Sequence, residues 1–196
     1  FSFLISYALT PISIKVGKNF GLLDKPEKRK INKSSLVRIG GVCLLISTLI
    51  SYLIIIFIHQ DIDDNYIQIK NFFLISSFIS ISAFSLGFAD DAKSLSPLFR
   101  LFVQILIAVS IWLSGIQIYN IDISFLNLNV ESIFLNKYLS LLITVLWICG
   151  ITNAINWIDG LDGLACSIVG IGSLTFSLIS LSMGNTFVSL ILLGIS

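Results

Sequence analysis

Asn153-Ala-Ile-Asn-Trp-Ile-Asp-Gly-Leu-Asp-Gly-Leu164 sets two amides and two carboxylates at three-residue steps between two long apolar runs. Residues three apart are neighbours on a helix. Each step nevertheless falls about 60° short of a turn at 3.6 residues per turn, so an unbroken helix would carry Asp162 round to the side opposite Asn153. Gly160 and Gly163 supply the alternative. The helix stops, and a glycine loop turns Asp159 and Asp162 back toward Asn153 and Asn156. Asp-Gly pairs also serve as plain turns between helices, but four polar groups so spaced at the edge of apolar runs point to a site.

The apolar runs decide the fold class. Of 196 residues, 56% are hydrophobic and only 12% are charged, about half the charged share of a soluble protein. The hydrophobic residues gather in runs near 20 long, the length of a membrane-crossing helix. The expectation is an all-α polytopic membrane protein with one transmembrane domain over 1–196. Its seven spans fall near 1–16, 39–58, 71–88, 98–119, 138–157, 164–183 and 186–196. The first and last are short for a span, and Phe1 is not an initiator Met, so the chain reads as an internal piece of a longer protein. Pro11 is expected to kink the first span. Ser96 before Pro97 reads as an N-cap and first helical residue, and Gly184-Asn185 as a tight turn. Between 118 and 135, Ile121, Ile123 and Phe125 alternate with polar residues, and Leu126, Leu128 and Val130 do so again. That period of two predicts a short hairpin outside the bilayer.

Cys43, Cys149 and Cys166 have no metal-like spacing and read as small buried hydrophobes. His59 is the single histidine and has no second ligand of its kind.

Charge sets the topology. Lys15, Lys18, Lys25, Lys28, Arg29, Lys30, Lys33, Arg38, Lys93 and Arg100 fall at loop ends facing one side, leaving Lys70 and Lys137 of the 12 basic residues for the other. The positive-inside rule places that first side in the cytoplasm. The basic loop, the Asp90-Asp91 loop and the Asp159/Asp162 loop then share one face of the membrane.

Adjacent carboxylates at the end of an apolar span, with two further acids on the same face, call for a compensating charge. A divalent cation is the simplest, and Mg²⁺ suits an oxygen site that leaves positions for phosphate; Lys93 and Arg100 are the alternative counter-charges. The basic loop either sets topology and binds anionic headgroups or clamps a phosphate. In the second case Arg29 and Arg38 grip oxygens in pairs while lysines such as Lys30 add point charge. Together these groups suit phosphoryl transfer between a soluble nucleotide and a membrane lipid.

At these residues the sequence resembles the polyprenyl-phosphate N-acetylhexosamine-1-phosphate transferases, the superfamily that includes the enzyme making the first lipid-linked peptidoglycan precursor. The first motif is similar to D-x-P-x-x-R-K-x-H-x-x-P-x-P-R-x-G-G, with Asp24, Pro26, Arg29, Lys30, Arg38, Gly40 and Gly41. The second resembles G-x-x-D-D-x-x-x-L-S-x-x-x-R-L-x-x-Q, with Gly87, Asp90, Asp91, Leu95, Ser96, Arg100, Leu101 and Gln104. The third resembles N-x-x-N-x-x-D-G-x-D-G-L-A over Asn153 to Ala165. Asn32 stands where the first motif has His, and Ser35 and Val37 where it has prolines.

The resemblance implies transfer of an N-acetylaminosugar 1-phosphate from a UDP-sugar to polyprenyl (undecaprenyl) phosphate. UMP is released, at the start of cell-envelope polysaccharide synthesis. It implies Asp90 as general base or positioner of the lipid phosphate. Asp91 supports the metal, and Asp90, Asp91 and Asp159 supply its ligands. Asn153, Asn156, Asp159 and Asp162 line the donor pocket, and Arg29, Lys30, Arg38 and Arg100 hold phosphates. The implied cofactor is Mg²⁺, or Mn²⁺ in its place. The implied partners are a UDP-N-acetylaminosugar, a polyprenyl phosphate lipid and the membrane, with a homodimer left open and no nucleic acid. The location is the inner (plasma) membrane with a cytoplasmic active site. A further metal-binding aspartate and a histidine-bearing loop are expected beyond Ser196. Three rivals stand beside this: a phospho-N-acetylmuramoyl-pentapeptide transferase, a cation transporter and a non-catalytic membrane partner. A transporter needs ionisable groups at mid-membrane, whereas here they cluster at span ends.

Overall fold

The computed structural model describes residues 2–21, 23–24, 36–37, 40–59, 66–123, 132–159 and 163–195. In hydrocarbon a peptide group has no hydrogen-bond partner except another peptide group, so apolar runs of span length become helices. Among the described residues there are seven: α1 (Ser2–Asn19), α2 (Gly40–His59), α3 (Tyr66–Lys93), α4 (Pro97–Leu113), α5 (Lys137–Ile158), α6 (Leu164–Ser182) and α7 (Thr186–Ile195). Four of them, α2, α3, α5 and α6, are long and apolar enough to cross a membrane. Helix α4 is apolar but has 17 residues. This is a multi-pass, all-α membrane protein.

Three of the expected boundaries move by five residues or more. Helix α3 begins at Tyr66 instead of near 71. Helix α3 does not stop at the acidic pair but continues through it to Lys93. Helix α4 ends at Leu113 instead of reaching Tyr119. Ser114 caps it, and Gly115 turns the chain with φ of 92°, a value open to glycine without a Cβ clash. Its start is as read: the Ser96 side chain accepts from the Phe99 N–H at 3.3 Å, and Pro97 opens the helix. Helix α1 runs through Pro11. The turn before α7 carries Gly184 at φ of 79°.

Strands are few and short. β1 (Leu23–Asp24) pairs antiparallel with β2 (Leu36–Val37), which closes the base of the basic loop. The sequence reading did not foresee this ladder, whose only signal is an apolar pair on either side of the charged run. β3 (Asn120–Asp122) pairs antiparallel with β4 (Ser132–Phe134). That is the expected hairpin, with its second strand placed after the alternating stretch 126–130; residues 124–131 lie outside the described ones.

The chain divides into two compact units, Phe1–Ala92 with Cys166–Ser196, and Lys93–Ala165. In the first, Ser13 and Cys43 meet at 2.8 Å between α1 and α2, and Tyr52 stacks edge-on against Phe73 between α2 and α3. The hydroxyls of Ser177 and Ser189 join α6 to α7 at 2.9 Å. In the second unit α4 and α5 run antiparallel, tied by Trp112 Nε1 to Ser140 Oγ at 3.1 Å and by the Ile118 N–H to Thr144 Oγ1 at 3.0 Å.

Burial is inverted relative to a soluble protein. Ser177 is 1% exposed and Ser47, Ser140, Thr144 and Ser189 are buried, while Trp157 is 82% exposed and Phe57 77%. Lipid is as apolar as leucine, so helices gain little by hiding large side chains and most by close approach of small ones. Cys43 and Cys149 are buried as expected, but Cys166 is exposed on the first turn of α6.

Candidate active site

The second motif begins on α3. Because the helix runs through them, Asp90 and Asp91 point about 100° apart; Asp90 is half-buried and Asp91 exposed. They also stand at the negative end of the helix macrodipole, where anions are disfavoured and cations favoured. Lys93 in the same last turn supplies one positive charge. Two hard carboxylate donors at an electronegative helix end are chemically suited to a divalent cation.

The chain then turns sharply. Ser94 has φ of 49°, left-handed and not a glycine. Ser96 starts α4, and Arg100 and Gln104 follow one turn apart on one face. The Arg100 N–H donates to the Ser96 carbonyl at 3.0 Å, closing the first turn.

The third motif ends α5. Asn153 lies about five residues before the end, half-buried; Asn156 and Asp159 are exposed. The helix stops after Ile158, as the glycines predicted. Asp159 is the cap, at φ of −72° and ψ of 60°, its N–H donating to the Ile155 carbonyl at 3.0 Å. Gly163 has φ of 78° and leads into α6.

Within the second unit the two motifs meet. Asn153 Nδ2 donates to Gln104 Oε1 at 2.8 Å and to the Cys149 carbonyl at 2.8 Å. The residues are 49 apart in sequence. The reading of the sequence named both but did not connect them, since no local period links two helices. The antiparallel pairing also sets Arg100, one turn before Gln104, level with the last turn of α5.

Arg29, Lys30, Arg38 and Asp162 lie outside the described residues. Asp90 and Asp91 belong to the first unit, and Arg100, Asn153, Asn156 and Asp159 to the second. Within either unit taken by itself, no three His, Cys, Asp or Glu side chains gather as a metal-ligating group among the described residues.

Residues 72–196 match the sequence family described as glycosyl transferase family 4. Over 187 residues the chain is 31% identical to a protein of Bacillus subtilis named probable undecaprenyl-phosphate N-acetylglucosaminyl 1-phosphate transferase, covering 95% of this chain and 48% of that one. It is 31% identical over 183 residues to the Thermotoga maritima undecaprenyl-phosphate alpha-N-acetylglucosaminyl 1-phosphate transferase, covering 90% of this chain and 52% of the relative. It is 29% identical over 192 residues to the phospho-N-acetylmuramoyl-pentapeptide-transferase of Staphylococcus haemolyticus, covering 90% and 57%. The chain spans about half the length of the curated relatives it matches. A match over the whole second half of the chain, carrying the second and third motifs with it, makes this chain a member of glycosyl transferase family 4.

Proposed function

We propose that this chain is part of a membrane-embedded enzyme that moves an N-acetylaminosugar 1-phosphate from a UDP-sugar onto polyprenyl phosphate. The observation that carries the reading is the placing of the motif acids and amides at helix ends of a multi-pass membrane protein. Two relatives at 31% identity are named undecaprenyl-phosphate N-acetylglucosaminyl 1-phosphate transferases, one of them as probable, which supports the lipid acceptor and the transferred group. An oxygen of the lipid phosphate forms a bond to the β-phosphorus of the donor. The bond from that phosphorus to the bridging oxygen breaks, UMP leaves, and a polyprenyl diphospho-sugar remains.

Asp90, half-buried at the end of α3, takes the proton from the lipid phosphate or orients it. Asn153, Asn156, Asp159 and Asp162 face the nucleotide-sugar, and Arg29, Lys30, Arg38 and Arg100 hold phosphate oxygens. Asp90, Asp91 and Asp159 are the carboxylates that would hold Mg²⁺ or Mn²⁺, whose chemistry there would be charge neutralisation on the phosphates. The charge asymmetry of the loops supports a cytoplasmic face for this chemistry, in the inner membrane.

The second reading is the muramoyl-pentapeptide transferase, the name borne by the Staphylococcus haemolyticus relative. Val37-Arg38-Ile39-Gly40-Gly41 favours the first. The arginine adds a bidentate cation near phosphates and offers nothing to recognise a peptide. The test gives the full-length protein either UDP-N-acetylglucosamine or the UDP-muramoyl-pentapeptide, with polyprenyl phosphate and Mg²⁺, and follows UMP release. Faster release from the aminosugar donor, abolished by chelator and restored by Mg²⁺, is expected. Faster release from the pentapeptide donor would overturn the choice.

A further inference from the structure

The bond from Asn153 Nδ2 to the Cys149 carbonyl fixes which end of the amide is nitrogen, because a backbone carbonyl only accepts. Gln104 must then meet that nitrogen with its oxygen, as it does at 2.8 Å. Both Nδ2 hydrogens are used, one within α5 and one across to α4. What Asn153 has left to offer is its carbonyl oxygen.

The two bonds are not equivalent. The Cys149 carbonyl also lies on the i to i−4 path of the helix, so the Asn153 side chain shares that acceptor with its own backbone. The bond to Gln104 comes from a different helix, held against α5 by the Trp112–Ser140 and Ile118–Thr144 ties. A side chain set by a packed neighbour is held more firmly than one set by its own backbone.

We infer that Gln104 is a positioning residue. It locks the Asn153 amide so that the carbonyl oxygen accepts a hydrogen bond from an N–H or O–H of the bound nucleotide-sugar. This rests on the proposed reaction. The diphosphate oxygens are acceptors and have nothing to give to another acceptor. The partner therefore belongs to the neutral parts of the donor: the acetamido N–H, the uracil N–H or a sugar hydroxyl. The lock keeps Asn153 from serving as one more phosphate clamp.

The test uses the full-length protein, measuring calorimetric affinity for UDP-N-acetylglucosamine, UDP-glucose and UMP beside turnover. Gln104→Leu is expected to weaken UDP-N-acetylglucosamine about five- to tenfold, the size of one hydrogen bond, and to act on KM more than on kcat. Gln104→Glu keeps the acceptor and is expected to restore most of the affinity. Because Gln104 acts through Asn153, Gln104→Leu with Asn153→Ala should bind like Asn153→Ala alone. Loss confined to UDP-N-acetylglucosamine assigns the acetamido group, loss shared with UDP-glucose but not UMP a hexose hydroxyl, and equal loss for all three the uridine. Unchanged affinity in Gln104→Leu overturns the inference. So do additive losses in the double variant with a lowered unfolding temperature, which mark a packing residue. Gln104→Met takes the place of the leucine variant if that one does not fold. A wild-type protein that binds the donor without transferring it would refute the proposed reaction, while the affinity series still decides on Gln104. One that binds no UDP-N-acetylglucosamine refutes both.

Discussion

At the end of α3 the helix runs straight through Asp90 and Asp91 to Lys93, whereas α5 gives out at Ile158 and leaves Asp159 as its cap. The first arrangement makes neighbours in sequence into strangers in direction. Asp90 is half-buried and Asp91 exposed, and the helix holds that angle rigidly. The second leaves the direction of its acid to a cap backbone at φ of −72° and ψ of 60°. The direction of the acids at the α3 end is therefore set by the helix, and that of Asp159 at the α5 end by the cap backbone.

The largest effect is expected from chemistry at the rigid end. Asp90→Asn in the full-length protein lowers turnover at least ~100-fold, the scale of a lost acid–base group, with membrane insertion unchanged. Asp90→Glu keeps a carboxylate on the same helix face and retains part of the rate. Steady-state UMP release measures both, and undiminished turnover by the asparagine variant would erase the distinction between the two ends.

A smaller effect is expected from the backbone at the turning end. Gly163 stands at φ of 78°, and an added Cβ there meets nothing within 4 Å, so Gly163→Ala carries only the conformational cost of about 1–2 kcal/mol. It should lower the unfolding temperature and loosen donor binding, and Gly163→Asn should do so less because Asn tolerates the left-handed region. Equal effects of Ala and Asn would show that φ is not what matters there. The smallest effect belongs to Ser94, left-handed at φ of 49° between α3 and α4. Ser94→Gly should raise the unfolding temperature slightly, by up to about 1 kcal/mol in stability, and Ser94→Val should lower it, since a β-branched residue fits that region poorly. A valine variant as stable as wild type would refute the strain.

What was legible in the sequence followed from local rules. The apolar runs gave the helices, Ser96-Pro97 gave the start of α4, and Gly160 and Gly163 gave the end of α5. The end of α3 and the end of α4 were not legible, for opposite reasons. The acids suggested an end to α3 because hydropathy falls there, but a helix outlasts its apolar stretch once it reaches water, and the chain turned only at Ser94. The apolar residues beyond Leu113 suggested a longer α4, but Gly115 overruled them. The tie between Gln104 and Asn153 was invisible because it depends on the register of two antiparallel helices, which no periodicity within either one encodes.

The length of α4 has a consequence of its own. At 1.5 Å per residue, its 17 residues rise about 25 Å, against a hydrocarbon layer of roughly 30 Å. At that length the helix crosses such a layer only where the two leaflets draw together beside it. The headgroup layer there lies level with Arg100, on the first turn of α4, so an anionic headgroup reaches that cation by membrane thickness alone.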